Sequence, residues 1–282
     1  MMTRLIAGAF SLLVLGGLAG AASIGLTLWL YGRDLPDTES LANYEPATLT
    51  RVYSGEGALL AEFADERRIF TPIDEIPAVV KNAFISAEDK NFYSHPGVDA
   101  LGIVRAAIAN IESMRSGEGR LQGASTITQQ VMKNFLLSSD RTLERKIKEA
   151  ILAVRIGETL SKDEVLELYL NEIFLGQNAY GVTAAAQRYF GKPLEGLTLA
   201  EAAYLAALPK APSDLHPVRQ RERAVQRRNY VLREMRENGH IDRETWAAAR
   251  REPLRTLLDE GAPEPEIARP APPSYFTEEV RR

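Results

Sequence analysis

Residues 141–156 read RTLERKIKEAILAVRI. At about 100° per residue, Leu143, Ile147, Ala150, Ile151 and Val154 form one stripe of an α-helix. Arg145, Lys148 and Glu149 point the other way. Leu152 and Ile156 share that second side, so it is partly apolar and not simply solvated. An acidic group beside leucine has its pKa raised by desolvation, while nearby cations pull it down. An Arg145–Glu149 pair one turn apart on a surface helix accounts for the same pattern.

Helical spacing continues on both sides of this stretch. Pro77 suits the first turn of a helix running through Val79, Val80, Ala83 and Phe84. Residues 99–114 and 125–136 give two more helices, and 142–159 a fourth. Ser161 and Glu164 have the spacing of a capping box that opens a fifth, running to Asn171. Further helices fit residues 179–189, 198–208, 218–238 and 243–251. Upstream, Val52 and Tyr53, then Leu59, Leu60 and Phe63, flank Ser54-Gly55-Glu56-Gly57 and read as a small β-hairpin. The class is mainly α with a hairpin at its entrance, and no internal repeat at 20–50 residues interrupts it.

Composition removes several functions. The 282 residues carry 34 basic and 38 acidic side chains, a net charge of -4. A nucleic-acid binder shows the opposite balance, so no nucleic-acid partner is expected. There is no cysteine, which excludes disulfides, thiolate metal sites and cysteine nucleophiles. The three histidines, His95, His216 and His240, lie far apart in sequence, which argues against a multi-histidine metal site.

Residues 5–31, LIAGAFSLLVLGGLAGAASIGLTLWLY, contain no charge and exceed the roughly 20 residues that a bilayer-crossing helix needs. A cleaved signal sequence has a shorter apolar region of about 7–15 residues. A retained anchor is the expectation, with Trp29 and Tyr31 at its outer boundary. Arg4 and the N-terminal amine before it, against Asp34, Asp37 and Glu39 after it, favour a cytoplasmic N-terminus. The expected organisation is a cytoplasmic N-terminus (1–4), an anchor (5–31), a tether (32–47), a catalytic domain (48–250) and a Pro-rich linker (251–282).

Two polar segments stand out within the helical part. Glu88 and Asp89 end an apolar helix, where the macrodipole disfavours acidic groups. A cation, a function or local hydrogen bonds must compensate. In Gly123-Ala-Ser-Thr-Ile-Thr-Gln-Gln-Val-Met-Lys-Asn134, Ser125 is placed to cap a helix. Thr126, Gln130, Lys133 and Asn134 then share a polar face. A capped amphipathic helix explains this segment without any ligand.

Together these residues resemble a known family. Glu88-Asp89-x-x-Phe92-x-x-His95-x-Gly97, Gly123-x-Ser-Thr-Ile-Thr-Gln-Gln130 and Arg145-Lys-x-x-Glu149 are similar to the first three motifs of the peptidoglycan glycosyltransferases (family 51). Glu167-Leu-Tyr-Leu-Asn171 with Gly176 and Ala179-Tyr-Gly181 resembles the fourth, and Glu201–Pro212 the fifth. The resemblance spans residues 48–250. The tail Tyr275-Phe-Thr-Glu-Glu-Val280 resembles the linker that leads to the transpeptidase domain of bifunctional class A penicillin-binding proteins. No Ser-x-x-Lys, Lys-Thr-Gly or Lys-Ser-Gly is present, so the transpeptidase site is not expected in this chain.

The resemblance implies a lysozyme-like glycosyltransferase fold that polymerises lipid II into β-1,4-linked glycan. It assigns Glu88 as general base. Lys133, Arg145 and Lys210, with Glu149 as the second catalytic carboxylate, go to the donor diphosphate. Glu149 either orients a cation or holds a divalent metal ion. Asp89, Ser125, Thr126, Gln130, Asn134 and Lys148 become substrate ligands, Phe92 a wall for the acceptor, and His95 a structural residue. No organic cofactor is implied. The partners are lipid II, the growing strand, membrane lipid and other cell-wall synthesis proteins. Two alternatives stay open: a lysozyme-like lytic enzyme, since one glutamate serves either reaction, and an inactive membrane-anchored scaffold. The stretch 106–114 is the part most suited to enter the lipid interface, though an ordinary core helix fits it equally. The arginine-rich run 219–236 reads as a solvated face without a catalytic role.

Overall fold

A computed structural model describes residues 2–33, 35–36, 41, 50–56, 59–63, 67–116, 123–137 and 142–262. The tether falls largely outside these residues, as does the linker beyond residue 262. Helix α1 (Met2–Tyr31) contains a segment, Val14–Tyr31, long and apolar enough to cross a membrane. It is followed by strands β1 (Thr50–Tyr53) and β2 (Leu59–Phe63), paired antiparallel with a register shift at Val52/Tyr53. Strand β3 (Arg67–Arg68) runs parallel to β4 (Ala179–Tyr180).

The remaining elements are helical: α2 (Ala78–Glu88), α3 (Ala100–Ser116), α4 (Ile127–Leu136), α5 (Leu143–Arg155), α6 (Lys162–Glu172), α7 (Val182–Phe190), α8 (Leu199–Ala207), α9 (Arg221–Glu237) and α10 (Arg243–Arg251). Helix α8 is alanine-rich and buried from Ala202 to Ala207, so α2 and α9 pack directly on it. Helix α4 packs against α5 and α6. These two groups share one apolar core that includes Phe84, Ile127, Met132, Leu152, Tyr169 and Tyr204.

Local sequence starts the helices where the chain needs them. Ser161 and Glu164 form the expected capping box. At α4 the cap is Thr126 rather than Ser125: its hydroxyl accepts from Gln129 N–H and the Gln129 side chain returns to the Thr126 backbone. Residues 179–180 join a strand pair instead of opening α7, which begins at Val182 after Gly181. A Cβ at Gly181 would stand 2.4 Å from the Asn171 carbonyl oxygen at a φ of +80°, so glycine is required there.

Two helices face differently from the periodicity. On α5 the buried residues are Glu149, Ile151, Leu152 and Ala153, whereas Leu143 is 78% exposed and Val154 also faces outward. The apolar stripe is thus only in part the core face: Ile151 is buried, the stripe's two ends are exposed, and Glu149 and Leu152 enter the core from the other side. Helix α3 buries only Ala106; Leu101 and Met114 are each 72% exposed, and Ile103, Val104, Ile108 and Ile111 are exposed with them. It is not an ordinary core helix. Packing also continues past residue 250. Leu254 and Thr256 are buried, Arg221 Nη1 donates to the Leu254 carbonyl at 2.7 Å, and Leu257 N–H donates to the Tyr189 carbonyl at 2.7 Å.

Candidate active site

The compensation for an acidic C-terminus on α2 comes from the N-terminus of α4. The Asp89 carboxylate accepts the N–H of Ile127, the first residue of α4, at 3.1 Å. His95 Nε2 lies 3.0 Å from both Asp89 oxygens. His95 Nδ1 accepts the Gly97 N–H at 3.1 Å, so the imidazole proton sits on Nε2 and is donated to Asp89. The negative end of one helix and the positive end of another are thus joined through one buried carboxylate. Gly97 completes the joint. Its φ is +147°, and a Cβ there would lie 1.8 Å from the Ala153 carbonyl oxygen of α5.

This joint sets Glu88 against α4. Gln130 Nε2 donates to Glu88 Oε2 at 2.9 Å. Burial raises the Glu88 pKa above the ordinary carboxylate value of 4.5. The Gln130 hydrogen bond and the charges of Arg227 and Lys210 pull it back, Asp89 adds to the rise, and the net direction is upward. Although surface accessibility leaves Glu88 partly exposed, its carboxylate is surrounded by protein, so desolvation dominates.

A cavity of about 690 Å³ opens beside Glu88. Lys133, Arg145, Lys146, Glu149 and Lys210 line it together with Glu88. Glu149 is 2% exposed and anchors two of the cations. Its Oε1 accepts from Arg145 Nη1 and its Oε2 from Lys146 Nζ at 2.7 Å. Lys146 also donates to Ser125 Oγ at 2.8 Å. Burial lowers the Lys146 pKa, and the charges of Arg145 and Lys133 lower it further. Three cations crowded at one wall make that wall a ready receptor for an anion. Each Glu149 oxygen thus accepts from one cation. Among the described residues no group of three His, Asp or Glu side chains is arranged to hold a metal ion.

The predicted residues divide into two sets. Glu88, Asp89, Ser125, Thr126, Gln130, Lys133, Arg145, Glu149 and Lys210 line one cavity. Thr126 does so as a buried cap whose hydroxyl donates to the Gly97 carbonyl at 2.5 Å. Phe92, Asn134 and Lys148 do not line it. Phe92 is 0% exposed, a core ring in edge contact with Tyr93 and beneath the Lys162 ammonium, so it forms no wall for a sugar. Asn134 points to solvent one turn past Gln130. Lys148 pairs with Glu144 at 2.7 Å on the outer side of α5.

Among the lining residues that the sequence reading gave no role in the site are Lys146, and Arg227, Tyr230 and Glu234 of α9. Positions 227, 230 and 234 share one helix face, a spacing visible inside the arginine-rich run. On α3, Gly102, Arg105, Ala106 and Ala109 line the cavity mouth, so the exposed apolar surface of that helix adjoins it.

A family profile described as "Transglycosylase" matches residues 56–236, more than half of the chain. The chain is 53% identical over 245 residues to penicillin-binding protein 1A of Rickettsia felis, covering 87% of this chain and 30% of the relative. It is 47% identical over 266 residues to penicillin-binding protein 1A of Escherichia coli K12, covering 94% and 30% respectively. It thus spans about a third of the length of these curated relatives. The crystal structure of penicillin-binding protein 1A from Haemophilus influenzae aligns with a TM-score of 0.44 at 28% identity, over 84% of this chain and 24% of that one. On the profile match and the motifs it covers, the chain belongs to the transglycosylase family, the peptidoglycan glycosyltransferases.

Proposed function

We propose that the cavity polymerises lipid II into β-1,4-linked glycan with inversion at the anomeric carbon. The observation that carries this reading is one cavity shared by a carboxylate of raised pKa and a wall of cations. Glu88 takes the proton of the acceptor 4-hydroxyl as its oxygen attacks the donor C1. A base is needed because a sugar hydroxyl is a weak nucleophile, and a pKa raised toward the working pH suits the role. The C1–O bond to the polyprenyl diphosphate breaks as the new bond forms on the opposite face. The departing diphosphate needs charge neutralisation more than a proton. Lys133, Arg145, Lys146 and Lys210 supply it in a site where their charges are little screened.

Glu149 acts by holding Arg145 and Lys146 in place. No step is routed through a divalent ion. The substrate's polyprenyl tail remains in the bilayer. Helix α1 keeps the domain at the membrane, and the apolar face of α3 lies where the tail leaves the cavity. The basic residue Arg4 ahead of the span supports an N-terminus in the cytoplasm and a catalytic domain outside.

The test is incubation of the purified chain with lipid II and, separately, with preformed glycan polymer. Lipid II consumption with release of polyprenyl diphosphate supports the reading. Shortening of polymer without lipid II consumption would replace it with the lytic alternative. Turnover of neither would favour the scaffold.

A further inference from the structure

Arg227 and Tyr230 stand one turn apart on α9, and both line the cavity that Glu149, Arg145 and Lys146 also line. The Arg227 guanidinium lies over the Tyr230 ring, 4.4 Å from its centroid. Its Nε is buried and has no hydrogen-bond partner among the described residues. Tyr230, through its ring and a hydrogen bond to its hydroxyl, is therefore what orients it, rather than a carboxylate. A second guanidinium, that of Arg233, lies 5.0 Å from the same centroid. Arg233 is exposed, and its charge is answered by Glu234 at 3.3 Å and Glu237 at 3.7 Å. Arg227 instead faces inward, where its charge acts on Glu88.

We propose that Tyr230 is a positioning residue: its ring fixes Arg227 in the orientation that presents a cation to the anion-binding side of the cavity. This rests on the functional reading above, in which the anion is the diphosphate. An arginine side chain has several rotamers, and Tyr230 restricts them through its ring and one hydrogen bond to its hydroxyl, leaving the other N–H donors of the fork unconsumed by the tyrosine. Those donors stay available to phosphate oxygens. A cation held in place before the charge develops is worth more than one that must be recruited.

A double-mutant cycle tests this with two readouts: inorganic pyrophosphate binding by calorimetry, and lipid II turnover. Tyr230→Leu should weaken pyrophosphate binding about three- to tenfold, the range of a stacked cation, and lower kcat more than it raises KM. In the Arg227→Ala background, Tyr230→Leu should have no further effect on either readout. Tyr230→Phe keeps the ring and should recover most of the loss. Thermal unfolding of each variant checks that the fold survives. Multiplying losses in the double variant, or wild-type pyrophosphate binding by Tyr230→Leu, would overturn the assignment. The binding cycle needs no turnover. If it behaves as stated while the parent chain fails to consume lipid II, the Tyr230–Arg227 coupling stands and the polymerase reading falls.

Discussion

Gln130 Nε2 donates to Glu88 Oε2 at 2.9 Å, tying the carboxylate at the end of α2 to the first turns of α4. The bond favours the charged form of Glu88 against a burial cost that raises its pKa. Removing the donor should let burial act with less opposition. Gln130→Ala is expected to shift the acidic limb of the kcat/KM profile to higher pH, since activity requires the deprotonated base. Other groups facing Glu88 are Arg227, Lys210, Asp89 and the buried Tyr169 phenol. All four are retained in the variant. A pH–rate profile whose acidic limb does not move would count against Glu88 as the titrating group.

The same shift has a stability consequence. A carboxyl whose folded pKa is raised binds more protons in the folded than in the unfolded chain. Its unfavourable contribution is therefore absent below the unfolded value and grows as pH rises from there through the folded pKa. Glu88→Gln removes that contribution and should raise the thermal midpoint at neutral pH while leaving it nearly unchanged in acid. Equal midpoint changes at both pH values would contradict the burial of Glu88 as the cause.

Glu149 and Lys148 are neighbours in sequence with opposite expected phenotypes. Glu149→Ala leaves Arg145 and Lys146 facing each other with no anion between them. Breaking a buried ion pair from one side costs about 3–5 kcal/mol. Denaturant unfolding should show that loss, and turnover should collapse with it. Lys148→Ala removes a cation whose Glu144 partner is exposed. It should cost no more than about 1 kcal/mol and leave turnover near the parent rate. A Lys148→Ala variant as damaged as Glu149→Ala would return Lys148 to the site.

Phe92 and Asp89 belong to the support of the site. Phe92→Ala empties a fully buried ring position and should cost about 3–5 kcal/mol, with KM for lipid II unchanged in the folded fraction. Asp89→Asn loses charge-assisted bonds to His95 and the α4 N-terminus, each worth about 1.5–3 kcal/mol. Because α4 carries Gln130 and Lys133, its activity should fall together with its stability. A raised KM for Phe92→Ala without destabilisation would restore the acceptor-wall role.

The helices were legible because their apolar residues recur at three and four positions, and their caps are local. What each helix faces was less so. On α5 the ends of the apolar stripe, Leu143 and Val154, are exposed and the core face carries Glu149 beside Ile151, because the buried charge is matched by two cations that periodicity ignores. Asp89 was legible as an acidic group at the wrong helix end. Its partner, the N-terminus of α4, lies 38 residues away and has no sequence signature. Phe92 and Lys148 sit inside the motif strings, yet one fills the core and the other pairs with Glu144 on the outer side of α5. Arg227 and Tyr230 were hidden within a run of arginines that reads as solvated, although Arg228 in the same run is also buried. Only the packing of α9 on α2 and α8 shows which of those charges turns inward.

The central claim is that Glu88 removes a proton from a sugar hydroxyl beside a cationic wall. Its most direct test is the single-turnover rate of lipid II coupling by Glu88→Gln, with circular dichroism and pyrophosphate binding measured on the same sample. The account predicts a loss of at least about a hundredfold with helical content and pyrophosphate affinity retained. Coupling at the parent rate by a folded, pyrophosphate-binding Glu88→Gln variant would contradict it.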